Sequence, residues 1–127
     1  MLQVTCALII NNQNQVLAAQ RSETMSLPLK WEFPGGKIEP NETAEDCLIR
    51  EIKEELNIDV EIIKALPTNI HTYPKITIEL IPFICRHMNG EIILKEHAQI
   101  RWLNKDELLA LDWADADVPI LHHYLSL

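Results

Sequence analysis

Three cysteines in 127 residues, an odd number with no CxxC pair, provide neither a disulfide framework nor a thiolate metal site. Cys6, Cys47 and Cys85 all lie in apolar stretches and are expected to be buried as small hydrophobes. Cations are scarce as well: 11 Lys and Arg stand against 19 Asp and Glu, a net charge of −8. Binding a nucleic-acid polymer takes a dense basic surface, so no such partner is expected. An acidic chain still binds a small polyphosphate when divalent cations sit between its carboxylates and the phosphates. No apolar run approaches the roughly 20 residues of a membrane span. The opening MLQVTCALIINN lacks a basic lead-in and reads as a strand, so the cytoplasm is the expected location. There is no internal repeat and no linker-like tract. Residues 1–127 are therefore expected to form a single domain.

What is present reads as strands mixed with a few helices. Val4–Ile10 is apolar and β-rich, Asn11–Asn14 is a turn cluster, and Val16–Gln20 is the second arm of a hairpin. Arg21–Lys30 is a loop, and Trp31–Phe33 a short strand stopped at Pro34-Gly35-Gly36, where the chain must turn. The strongest helix comes next. Thr43 is its N-cap, with Asp46 as a weak capping-box acid. Ala44, Cys47, Leu48, Ile52 and Leu56 form its apolar stripe, and Asn57 takes the left-handed position that ends it. Ile58–Ile63 and Lys75–His87 are strands, and Pro82 points to an edge or a bulge in the second. Asn89-Gly90 is a hairpin signal, with Glu91–Leu94 as the returning strand. Gln99–Leu103 is a further strand. Asn104 caps a short helix over Lys105–Leu111, and Val118–Leu127 is a helix with Pro119 in its first turn. The fold class is α/β or α+β: a mixed sheet sandwiched between helices.

Glu51, Glu54 and Glu55 occur at i, i+3 and i+4 of the central helix and so share one face. A solvated surface helix would interleave cations to pair with these acids, yet only Arg50 and Lys53 are close. An uncompensated cluster of hard oxygen donors suits Mg²⁺ or Mn²⁺. The spacing alone is suggestive.

From Gly36 to Ile58 the chain reads GKIEPNETAEDCLIREIKEELNI. This resembles the Nudix box, G-x5-E-x7-R-E-U-x-E-E-x-G-U with U a bulky aliphatic. Gly36, Glu42, Arg50, Glu51, Ile52, Glu54, Glu55 and Ile58 are in register. The one departure is Asn57 in place of the second glycine, the mildest replacement where a left-handed backbone is needed. The lead-in WEFPGGK and the tail DADVPILHHYL resemble the MutT branch of that family.

The resemblance implies a small hydrolase that cleaves a nucleoside triphosphate to a monophosphate and pyrophosphate. It assigns Mg²⁺, with Mn²⁺ as a substitute, to Glu51, Glu54, Glu55, the Gly35 carbonyl and a fourth carboxylate, Glu96. Among these, Glu54 and Glu96 rank ahead of Glu51 as general base. Arg50 and Glu42 are implied to support the helix, and Gly35 and Gly36 to let the backbone approach metal and phosphate. Lys37 and Arg21 are candidate phosphate contacts, with plain surface cations as the alternative. Phe33 flanks the base or belongs to the core. Asp117 stands where MutT-like proteins read the base, unless it caps the last helix. An ionised Asp117 would select a cytosine amino group; a protonated one would mimic an amide and accept an oxidised guanine. His71 and Tyr73 are on a segment implied to line the base pocket. Trp31, Trp102 and Trp113 are expected in the core, and His122 and His123 at the surface. Rival readings are a nucleoside diphosphate sugar hydrolase and a non-catalytic nucleotide sensor. The oligomeric state is open between monomer and homodimer.

Overall fold

In the computed structural model, which describes residues 1–127, the first strand β1 (Leu2–Ile10) is central. Its residues alternate strictly between two cores: Cys6 and Leu8 face one layer, Ala7 and Ile9 the other. A strand buried on both faces in this way belongs inside a sheet, with helices covering each side. β1 turns through Asn11–Asn14 into β2 (Val16–Gln20), and Asn14 takes the positive φ of 60° that closes the turn. β2 pairs in turn with β3 (Trp31–Glu32) and with β8 (Gln99–Leu103).

The segment Pro34-Gly35-Gly36 does end β3, but Gly35–Lys37 then forms a strand of its own, β4, antiparallel to the first half of β1. Gly35 is required there because a Cβ would lie 2.0 Å from the Thr5 carbonyl oxygen. On its other edge β1 runs parallel to the long strand β7 (Ile76–Asn89). β7 also pairs antiparallel with β5 (Asp59–Ala65) and β6 (Asn69–Tyr73). Pro82 is thus inside the sheet, which rules out the edge of the two places expected for it. It is tolerated at the point where β7 exchanges β5 for β6 as its partner, where no ladder pair includes it on that side.

Helix α1 (Ala44–Leu56) covers one face of the sheet through Cys47, Leu48, Ile52 and Leu56. Thr43 caps it as expected, accepting the Asp46 amide at 3.1 Å, and Asn57 ends it with φ 63°. Helix α2 (Val118–Leu125) covers the other face through Ile120, Leu121 and Tyr124. The mixed sheet between helices anticipated from the sequence is the observed architecture.

Two further expectations change. The short helix expected over Lys105–Leu111 is of the 3-10 type and ends at Ala110, with the Asn104 amide donating to Glu107 Oε1 at 2.8 Å. Glu91–Leu94 is not a strand. The chain does turn at Gly90 (φ 96°), but the residues beyond it serve the end of α1: Ile93 N–H donates to Leu56 O and Lys95 N–H to Glu55 O, at 3.0 and 3.3 Å. Those carbonyls have no partner within the helix, so they compete successfully for the donors a hairpin would need. No helix is long and apolar enough to cross a membrane. All three cysteines are free and buried, Trp31 and Trp113 are buried, Trp102 is half-buried against the α1-side core, and His122 is exposed.

Candidate active site

Where β4 meets α1, the box residues are organised around Arg50. Its Nε and Nη2 donate to the two oxygens of Glu42 at 2.7 and 2.9 Å, a forked pair that ties the helix to the preceding loop. This guanidinium holds the Glu42 carboxyl down at about 2. Arg50 Nη1 also donates to Glu51 Oε1 at 2.9 Å and to Glu54 at 3.3 Å. Glu54 is the exposed member, with 59% of its side chain accessible against 18% for Glu51. The Glu51 carboxylate packs directly over Gly36, where a Cβ would come within 2.4 Å of its Oε2. Beneath the glycines, the buried Thr5 hydroxyl donates to Gly36 O at 3.2 Å.

Glu55 points the other way from Glu54, into the protein. Burial is the main force raising its carboxyl to about 9; Glu32, Glu51 and Glu96 add to it, and the Gly35 amide opposes it. Its Oε2 is buried without a hydrogen-bond partner. No three acidic, cysteine or histidine side chains converge closely enough to enclose an ion in this arrangement, because Arg50 draws Glu51 and Glu54 outwards. Glu51 Oε2, which Arg50 leaves free, lies against Gly36.

Glu55 and Glu96 also line a cavity of about 690 Å³ together with Gly35, Gly36 and Lys37. The same cavity is lined by Arg21, Phe33 and Asp117, whereas Glu51, Glu54, Glu42 and Arg50 lie outside its lining. Phe33 is buried, its ring 4.6 Å from that of Trp113, so it is both core and cavity wall. Lys37 is exposed and makes no ion pair. Arg21 is committed within the protein: Nη1 to Glu32 at 2.7 Å, Nε and Nη2 to Ser26 at 2.6 and 3.0 Å.

Asp117 is 6% exposed and does not cap α2. Its Oδ2 instead accepts the Phe33 amide at 2.9 Å. Burial drives its carboxyl well above the usual carboxylate range, helped by Glu32 and opposed by the Phe33 amide and Arg21. The cavity thus combines an acidic end with a buried carboxyl whose charged form burial disfavours. The profile of the NUDIX domain matches residues 1–124.

The chain belongs to the Nudix family. This is a family of hydrolases that generally use divalent metal ions. The Nudix chain is 31% identical over 127 residues to the CTP pyrophosphohydrolase of Escherichia coli K12, covering 100% of this chain and 93% of that protein. It is 38% identical over 95 residues to the 8-oxo-dGTP diphosphatase of Proteus vulgaris, covering 75% of this chain and 85% of that one. The solution structure of the DNA mismatch repair protein MutT from Staphylococcus aureus superposes with a TM-score of 0.79 at 43% identity, covering 98% of this Nudix chain and 95% of that one.

Two cavity residues have no precedent in the motif reading. Glu32 binds Arg21 through one oxygen and His97 Nε2 through the other, at 2.7 and 2.8 Å. His97 is buried and its Nδ1 has no partner. Glu32 is in the quoted lead-in and His97 follows Glu96, but neither spacing carries a chemical signature. Tyr73 lines the cavity, as the resemblance implied; His71 packs edge-on against its ring at 4.4 Å.

Proposed function

We propose that this Nudix protein is a Mg²⁺-dependent hydrolase that converts a nucleoside triphosphate to the monophosphate and pyrophosphate, with an oxidised guanine triphosphate such as 8-oxo-dGTP as its preferred substrate. The observation that carries the proposal is one cavity lined by the carboxyl groups of Glu55 and Glu96 and also by the buried Asp117, whose charged form burial disfavours. The first group suits a metal-bound polyphosphate, the second a base.

Glu51, Glu54, Glu55, Glu96 and the Gly35 carbonyl would hold Mg²⁺, or Mn²⁺ in its place. The unpartnered Glu55 oxygen and the close packing of Glu51 Oε2 on Gly36 support this: each leaves a hard oxygen donor that no cation of the protein engages, since Arg50 takes only Oε1 of Glu51. A bound divalent ion supplies charge neutralisation and Lewis-acid activation for the triphosphate. The chain's own task is to orient the substrate and move one proton. Water oxygen bonds to the β-phosphorus while the bond from that phosphorus to the α–β bridging oxygen breaks. The monophosphate leaves with the bridging oxygen, and a carboxylate takes the water's proton. Glu96, on the cavity wall, is better placed for this than the outward-facing Glu54 or the Arg50-bound Glu51. Lys37 offers a free cation to the phosphates, while Arg21 contributes by holding the cavity wall.

With Oδ2 occupied by the Phe33 amide, a protonated Asp117 offers a donor as well as an acceptor to the base, as an amide does. That supports the oxidised purine. A cytidine triphosphate is the second reading, because the Escherichia coli relative named CTP pyrophosphohydrolase matches the whole chain and a carboxylic acid also pairs with the ring nitrogen and amino group of cytosine.

Pyrophosphate release with Mg²⁺ across 8-oxo-dGTP, dGTP, CTP, dCTP, 5-hydroxy-dCTP and ADP-ribose tests both readings. The expected result is a kcat/KM for 8-oxo-dGTP well above that for dGTP. Glu54→Gln, assayed in parallel, should lose about a hundredfold or more while folding normally. Preference for the cytidine compounds would select the second reading, and failure to release pyrophosphate from any triphosphate would reject both.

A further inference from the structure

The turn that carries Asp117 has weak support of its own. Asp115–Asp117 is a single 3-10 turn, preceded by Ala114, whose side chain cannot cap it. Its backbone groups need partners from elsewhere, since orphan donors and acceptors at a buried helical end are costly. Those partners come from β6. The Ala116 amide donates to the Tyr73 hydroxyl at 3.0 Å, and the Ala116 carbonyl accepts from Asn69 Nδ2 at 3.2 Å. Ala116 is 2% exposed, and both bonds are part-buried.

The spacing within β6 makes this possible. Asn69, His71 and Tyr73 are half-buried on one face, while Ile70 and Thr72 are exposed on the other. Two residues four apart on a strand therefore meet the N–H and the C=O of one residue, Ala116, and His71 packs edge-on against the Tyr73 ring. Together with the Phe33 amide on Asp117 Oδ2, three bonds from two different elements fix Asp117 against the cavity.

We propose that Asn69 and Tyr73 are specificity-determining positioning residues, which hold the carbonyl and the amide of Ala116 and thereby set where Asp117 meets the base. This rests on the reading of Asp117 as the base contact. Discrimination between related bases depends on hydrogen-bond geometry at buried polar groups, so a small displacement of the reading carboxyl costs selectivity before it costs the fold.

The test uses the full chain with Tyr73→Phe and Asn69→Ala, and Asp117→Ala as the reference. Amide hydrogen exchange is measured first, without metal or nucleotide. Exchange over residues 115–118 should rise by about tenfold in each variant, the loss of one part-buried hydrogen bond, while β1 and β7 keep their protection. The ratio of kcat/KM for 8-oxo-dGTP over dGTP is measured next, or for CTP over dGTP if cytidine is preferred. It should fall by about tenfold in each variant, carried by KM for the preferred base and not by kcat. An unchanged ratio while Asp117→Ala collapses it would overturn the inference alone, whether or not exchange rises. Unchanged exchange would show that the turn does not depend on β6, and would overturn it too. If Asp117→Ala leaves the ratio intact, the reading of Asp117 falls and this inference with it, while the hydrolysis assay stands independently.

Discussion

Glu55 brings a carboxyl to a place where Glu32, Glu51 and Glu96 already raise the cost of negative charge, and burial adds the larger share. Its proton is therefore held to about pH 9 in the metal-free folded protein, against an ordinary value of 4.5. Between those two values the folded state keeps a proton that the unfolded chain has released. Stability must fall as pH rises through that window, and below it both states are protonated and the effect vanishes. Glu55→Gln removes the dependence. In EDTA the variant should gain on the wild type steadily from pH 5 to 8.5, reaching roughly a few kcal/mol at the upper end. Urea unfolding at several pH values reads this directly. A constant difference between the two proteins across the range would show that Glu55 is ionised in both states. The acids of the box were legible in sequence, and helical spacing accounts for Glu51 and Glu54 sharing the Arg50 side. That Glu55 alone turns inward was not, since its burial depends on β4 and on the segment leading to Glu96. Glu32 and His97 were illegible for a similar reason: their pairing links β3 to the approach to β8, 65 residues apart in sequence.

The elements that position the site were read most accurately where local chemistry decides them. Thr43 and Asn57 bound α1 through a side-chain cap and a left-handed residue, both choices that neighbouring residues fix. The segment after Gly90 was misread because its competitor is remote. Its amides go to the last carbonyls of α1, a demand invisible from Asn89-Gly90 itself. Gly90 is the pivot of this arrangement: its φ is 96°, and a Cβ placed on it would lie only 2.8 Å from Asn57 O. Gly90→Ala should therefore cost on the order of 1–2 kcal/mol. The larger consequence is for the element it launches: residues 91–96 should exchange their amide protons faster, and turnover should drop with Glu96 less well held. Thermal unfolding and exchange on one sample check this. Unaltered protection at Ile93 and Lys95 would mean that the segment is anchored by something other than its path along α1.

Across the whole molecule, an excess of acid meets a site with too few cations. The net charge of −8 and the carboxylates gathered at β4, α1 and Glu96 act in the same direction, so any cation should stabilise the fold to some degree. General screening and a specific site make different demands on the ion. Screening depends on ionic strength and treats NaCl and MgCl₂ alike once that is matched. A site present only in the folded state adds RT ln(1 + [L]/Kd), about 2.7 kcal/mol at a hundred times Kd, and saturates. For a chain of this length that is on the order of 10 °C in Tm. Melting in increasing MgCl₂, against NaCl at equal ionic strength, should show a saturating excess for Mg²⁺. Glu55→Gln should lose most of that excess, because it gives up an acceptor with no partner in the protein. A Tm that tracks ionic strength regardless of the cation would reduce the carboxylate cluster to surface charge. The hydrolytic reading would then have to stand without a metal, which the chemistry of the cavity does not support.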